Sequence, residues 1–215
     1  METLTDMAGD KDRNYKQYEK DILSSLYCAL PAIVESVNYE NQTLEAKPVT
    51  IMKSTDTEGV VSDFQMPLIL DVPFQCYKGG GYSVTVPVKA GDEVLIVFTD
   101  VDFSAWFQNG GFNYAEHSFR HSYSNAIAII GFSSEVNAIP DYNLNAVEIR
   151  NADGTEKVSL SQGNITLKSA TITLDGNLTV TGTSNLQGAT TIQSKDFLGH
   201  KHSNGNQGAN TGGVV

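Results

Sequence analysis

The side chains of this chain best suited to chemistry are two imidazoles near its C-terminal end, in Phe197-Leu198-Gly199-His200-Lys201-His202-Ser203. In an extended strand, residues i and i+2 share a face, so His200 and His202 project together while Lys201 points away. Two nitrogens do not complete a coordination sphere, and the other histidines, His117 and His121, lie far upstream. If three copies of the chain meet here on a three-fold axis, the pair supplies six imidazoles. Six ligands suit an octahedral transition metal rather than tetrahedral zinc, and nickel or cobalt would meet the geometry. The plainer reading of His-Lys-His near a terminus is a solvated pair with no ligand. A third reading is a metalloenzyme, in which His200, His202 and a carboxylate such as Asp196 form a facial triad with open positions for substrate.

Something must bring three chains to one axis, and the segment before the histidines has the pattern to do it. Val147-Glu148-Ile149, a turn at Asp153-Gly154, Val158-Ser159-Leu160, Ile165-Thr166-Leu167, Ile172-Thr173-Leu174, Leu178-Thr179-Val180, Leu186 and Ile192 form a ladder of apolar-polar-apolar triplets spaced by Ser, Thr, Asn and Gly. Each triplet offers two apolar side chains on one face. At about 25 cal/mol per Å² of apolar surface, one copy alone cannot offset an ordering cost of about 1 to 2 kcal/mol per residue. Three chains wound about one axis would share an apolar core, turn the Thr/Ser/Asn face to water and leave no open sheet edge. An ordinary sheet packed on a neighbouring domain is the competing arrangement.

Upstream, Tyr15, Tyr18, Ile22 and Leu26 fall at spacings of three and four, which predicts an amphipathic helix over 14–30 ended by Pro31. From Ala32 to about Phe132 the pattern is β. Ile33–Val37, the turn Glu40-Asn41-Gln42 and Thr43–Val49 read as a hairpin, with further strands at Pro67–Pro73, Tyr82–Val88 and Asp92–Thr99. The last is introduced by a tight turn at Lys89-Ala90-Gly91-Asp92. Short strands with glycine turns over such a length suit a Greek-key barrel of the OB type, and sandwich topologies match the same pattern.

Other candidate sites read as structural. Gly79-Gly80-Gly81 lacks the Lys-Ser/Thr and helix of a P-loop and reads as a strand connection. His117 and His121 lack the Glu of a His-Glu-x-x-His zinc helix and sit between glycines and serine, so they read as a surface loop. No nucleophile-base pairing, paired-carboxylate motif or cofactor loop is recognisable, and the chain is not expected to be an enzyme. The formal net charge is −11, and no basic cluster offers a surface to nucleic acid. From Arg150 onward five basic residues meet four acidic ones, so the acidity belongs to the first part of the chain. Cys28 and Cys76 sit in apolar contexts and are expected to be two buried thiols of a protein made in a reducing cytosol. The charged N-terminus has no signal-peptide core, and no run approaches a membrane span in length.

A resemblance joins these segments. Leu30-Pro31-Ala32-Ile33-Val34, Gly80-Gly81-Tyr82-Ser83-Val84-Thr85-Val86-Pro87-Val88-Lys89-Ala90-Gly91-Asp92-Glu93-Val94-Leu95, Asp102-Phe103-Ser104-Ala105-Trp106 and His121-Ser122-Tyr123-Ser124-Asn125-Ala126 resemble the N-terminal OB domain of central spike proteins from contractile-tailed bacteriophages. The ladder ending in Gly199-His200-Lys201-His202 resembles the trimeric β-helix and iron-capped tip of the same membrane-piercing spikes. The likeness implies an all-β homotrimer: a helical arm (1–31), an OB-fold domain (32–134), a linker (135–146), an intertwined trimeric β-helix (147–196) and a metal-binding tip (197–215). It also implies one Fe2+ per trimer held by His200 and His202 of each chain. The expected partners are baseplate hub and tail tube proteins, with mechanical contact at the host outer membrane and none with nucleic acid. The expected location is the baseplate tip of the virion, after synthesis in the host cytoplasm. A bacteriocin or secretion-system spike would share this architecture. A trimeric receptor- or glycan-binding tail fibre is a further alternative, although the ladder carries few aromatics.

Overall fold

The computed structural model describes residues 14–19, 22–23, 26–55, 58–118, 120–192 and, for the backbone alone, 195–196. It divides between Ile139 and Pro140 into two compact units.

The first unit is built on strands β1 (Ala29–Asn38), β2 (Thr43–Pro48), β3 (Ile51–Thr55), β4 (Val61–Gln65), β5 (Ile69–Pro73), β6 (Tyr77–Gly79), β7 (Tyr82–Val84), β8 (Glu93–Phe98) and β9 (Ala126–Ile130). Five of them form one sheet in the order β5-β2-β1-β8-β9, with every neighbouring pair antiparallel. The sheet curls until its two edges approach. A parallel bridge joins Phe74 to Ala128, and Gln75 N–H donates to Ala128 O at 2.9 Å. Alternating residues fill the concave side on four strands, Ala32 and Val34, Leu44 and Ala46, Val94, Ile96 and Phe98, and Ala126 and Ala128, while β5 contributes Ile69 and Val72 across its irregularity. Alanines stand at positions with no exposure, Ala46 and Ala128, because opposite walls of so tight a curl leave no room for longer side chains. The result is an all-β half-barrel.

Curvature comes from two irregularities. β1 shifts register between Val34 and Ser36, and the β2–β5 pair shifts between Leu44 and Ala46, so each strand bends where one residue is unmatched. Two hairpins stand off the barrel. β3–β4 exposes Ile51, Val61 and Phe64, while β6–β7 exposes Tyr77 and Tyr82. The triple glycine makes the second hairpin: Gly79 pairs with Tyr82, and Gly80 and Gly81 take φ of 58° and 85°, the mirror-image turn that matches strand twist. The turn into β8 forms as read, with Asp92 N–H donating to Lys89 O and Lys89 N–H to the Asp92 carboxylate.

Two elements differ from expectation. Residues 14–19 and 22–23 are helical, but the helix does not continue to Pro31, since β1 already runs from Ala29. Pro31 is tolerated inside a central strand because its carbonyl side, where the absent N–H would also point, faces Val49 N–H just past the last β1–β2 pair. The strand read over Tyr82–Val88 stops at Val84. Pro87 cannot donate to a ladder, and Val88 turns into the core with its carbonyl taking a hydrogen bond from Tyr39 Oη.

The second unit opens with a meander, β10 (Ala146–Arg150), β11 (Lys157–Ser161) and β12 (Asn164–Lys168), followed by the short pair β13 (Thr191–Ile192) and β14 (Lys195–Asp196). The β10–β11 loop carries Gly154 at φ 67°, and Gln162-Gly163 joins β11 to β12. Residues 169–190 contain no strand.

Candidate functional site

The register of the meander sorts its side chains. Val147 pairs with Leu160, Ile149 with Val158, Val158 with Leu167 and Leu160 with Ile165, so six branched apolar side chains occupy one face. All six are exposed, from 45% at Val158 to 72% at Val147. The apolar residues that follow, Ile172, Leu174, Leu178, Val180 and Leu186, are exposed as well.

The opposite face is covered instead. There Glu148, with its side chain 6% exposed, accepts hydrogen bonds from Lys157 Nζ (2.8 Å), Asn143 Nδ2 (3.0 Å) and Ser159 Oγ (3.1 Å). Arg150 lies 3.5 Å from the other Glu148 oxygen and donates to the carbonyls of Pro140 and Asp141. Residues 140–143 are thereby strapped over the polar side. A lone sheet commonly buries its apolar face and wets its polar one; this one does the reverse.

Hydrogen bonding, first from Lys157 and then from Asn143, pulls the Glu148 carboxyl from its ordinary 4.5 down to about 2. A depressed carboxyl adds stability above its unfolded value and forfeits it as pH falls through the folded one. Hydrogen-exchange protection factors of β10 and β11, taken against the intrinsic exchange rate at each pH, are therefore expected to fall between about pH 4.5 and pH 2 in the natural protein, and Glu148→Gln is expected to flatten that fall.

His200 and His202 lie outside the described residues, as does the side chain of Asp196. His117 and His121 sit in a loop rather than on one helical face. Asp102, with its side chain 2% exposed, accepts Ser104 N–H (3.0 Å), His117 N–H (3.1 Å) and His117 Nδ1 (2.8 Å). Those bonds, Ser104 first, hold the Asp102 carboxyl far below the usual carboxylate range. Asp102 thus pins the long β8–β9 connection and takes the N–H of Ser104, the first residue of the short helix Ser104–Asn109, whose N-cap Phe103 makes no side-chain cap. Sequence reasoning missed this role; the signal was Asp102-Phe103-Ser104, an acidic residue two positions ahead of a helix. His121 is 3.7 Å from Asp100. Both cysteines are free, but neither is fully buried as expected: Cys28 is exposed and Cys76 half-buried. Tyr27, the neighbour of Cys28, packs on Phe98 and Tyr123, which turns residue 28 outward. No group of three or more metal-binding side chains occurs among the described residues, and no described helix is long and apolar enough to cross a membrane.

These features define an all-β protein of two units, the first a curled half-barrel and the second a sheet with its apolar face open. Residues 30–131 match the family model described as the phage protein Gp138 N-terminal domain, a little under half of the chain and nearly the whole half-barrel. The match supports a phage structural protein, and with it a place in the virion. No curated protein matches the chain.

Proposed function

We propose that this chain forms the homotrimeric central spike of a contractile-tail baseplate, which pierces the host outer membrane when the sheath contracts. The observation that carries the reading is the open apolar face from Val147 to Leu186, on a chain whose matched domain is that of a phage protein. The half-barrel is read as an OB-type domain facing hub and tail tube proteins; its support is the order β5-β2-β1-β8-β9 with a parallel bridge between the outer strands. The ladder is read as the start of an intertwined β-helix, in which residues 169–190 take ladder partners from neighbouring chains. A strand bundle bonded between chains is stiff along its axis, and its weakest point is the tip, where chain ends fray.

His200 and His202 of three chains would hold one iron ion at that point. Six neutral imidazoles suit an octahedral transition metal and not tetrahedral zinc, and the resemblance to the spike family selects iron over nickel or cobalt. The bound ion would supply a cross-link and no redox step. Because each imidazole must be deprotonated to bind, acid should loosen the clasp.

Native mass spectrometry of the untagged protein tests the whole reading. A trimer with one iron-sized adduct is expected; a monomer would remove the three-fold axis, and one metal per chain would favour the metalloenzyme. His200→Ala with His202→Ala is expected to abolish the adduct and leave the trimer assembled, since the ladder supplies most of the interface. Loss of the trimer in that variant would move the main source of association to the tip.

A further inference from the structure

One motif of the sequence is left unused by the ladder and the tip: the stripe Tyr15, Tyr18, Ile22 and Leu26, at positions i, i+3, i+7 and i+11. That spacing is the one by which an amphipathic helix anchors in a groove. The arm is helical at 14–19 and 22–23, and Leu26 N–H bonds back to Leu23 O. Tyr15 and Tyr18 are 72% and 68% exposed, and Leu26 is exposed as well. A helix this short is marginal in water by itself, so its apolar side persists as a helix face only against a partner surface.

The half-barrel offers such a surface. A groove of about 630 Å³ opens at the start of β8, with the buried Val88 and Val94 in its floor. Its walls are Tyr77, Val84 and Val86, from the β6–β7 hairpin and the stretch after it, and Phe132 and Ile139 beyond β9; all but Phe132 expose more than half of their surface. No described residue of the arm lines the groove, so the single chain leaves stripe and groove apart. Charge favours their meeting. Residues 11–20 hold four basic side chains against two acidic, whereas residues 32–139 hold five basic against thirteen acidic. The charged residues at the groove, Asp92 and Glu93, are both carboxylates. The arm of the same chain is badly placed to reach it. That arm enters β1 at Ala29, opposite Val97 and about 10 Å along β8 from Val94, and would have to double back over its own strand.

We propose that each arm docks as a helix into this groove on a neighbouring copy of the chain, with Tyr15 and Tyr18 against its apolar walls. Giving an arm to one neighbour and receiving one from the other is a heterologous contact, which a three-fold ring closes. The inference rests on the trimeric reading. One short helix falls short of the ~800 Å² per partner of a standard interface, so it fastens a trimer that the ladder holds together.

The test uses the full-length untagged protein with Cys28→Ser and one arm residue changed in turn, Tyr15→Cys, Tyr18→Cys or Leu26→Cys. Cys76, which lines the groove, is then the only other thiol. After treatment with a short bis-maleimide, at least one variant is expected to run as covalent dimers and trimers on a denaturing gel, while native mass spectrometry reads the assembly separately. Val86→Glu, at a side chain exposed in the single chain, should cut that cross-linking about tenfold or more and leave the trimer intact. A trimer in which every arm variant stays a single chain on the gel would overturn the proposal and leave the spike reading standing. So would cross-linking that Val86→Glu leaves unchanged. A monomer by native mass spectrometry would overturn both.

Discussion

If the chains assemble through the open apolar face, as proposed, introducing glutamate at Ile149 and Leu160 together is expected to give folded monomers in place of trimers. Both side chains are largely exposed in the single chain, 70% and 55%, so a carboxylate at either position disturbs nothing that one copy packs. The meander keeps its own hydrogen bonds and its covered polar face, where Glu148 holds Lys157, Asn143 and Ser159. What changes is the surface offered to a neighbour. Each buried branched side chain is worth about 1.5 to 3 kcal/mol, the loss repeats in every copy, and an ionised carboxylate left in an apolar interface adds a further desolvation cost. Sedimentation velocity at micromolar concentration should show monomers. Fluorescence of the single tryptophan, Trp106 in the first unit, should report an unchanged fold there. An oligomer that survives both substitutions would mean that this face is not where the chains meet.

The readable parts of the fold share a physical character: they are local. The β1–β2 hairpin, the turn at Lys89–Asp92 and the three triplets that became β10, β11 and β12 are specified by alternation and by turn residues within a few positions of one another. What escaped reading depends on partners distant in sequence. Strand β9 is a short apolar run, Ala126–Ile130, with no alternation to mark it; it becomes a strand by pairing with β8 across the long loop that Asp102 pins. The β3–β4 hairpin exposes apolar and polar residues alike, so it carries no buried face to read. Pro31 suggested a helix end, because proline is a strong local breaker; the strand around it survives only through the way β2 ends opposite. The apolar side of the ladder was legible in Val147, Ile149, Val158 and Leu160. The strap over its other side was not, because the Asn143–Glu148 and Arg150–Pro140 contacts depend on how a loop folds back. The groove was not legible either, because only folding brings Tyr77 and Val86 to one space with Phe132 and Ile139.

Ile96→Ala should destabilise the half-barrel severely, and the reason lies in what faces it. Ile96 has no exposure and sits in β8 between two partners, Leu30 on β1 and Ala128 on β9. Removing a buried isoleucine to alanine costs about 2 to 5 kcal/mol, the larger values arising where the surroundings cannot collapse into the gap. Here Ala128 and Ala46 have no side chain to extend, and their strands are tied into a sheet that already closes on itself, so the cost should fall in the upper half of that range. For a unit of this size, that lowers the melting temperature by about 10 °C or more, which Trp106 fluorescence can follow. Ile129→Ala on the neighbouring strand is the control. Ile129 pairs with Leu95 but is 36% exposed, on the convex side of the curl, and its truncation should cost about 1 kcal/mol or less. Two residues of the same type one strand apart should thus differ several-fold in cost, because the curl, rather than hydrophobicity, decides which of them is core. Equal losses at the two positions would mean that the convex side is covered as well, and that the half-barrel is itself packed against a partner in the assembled protein.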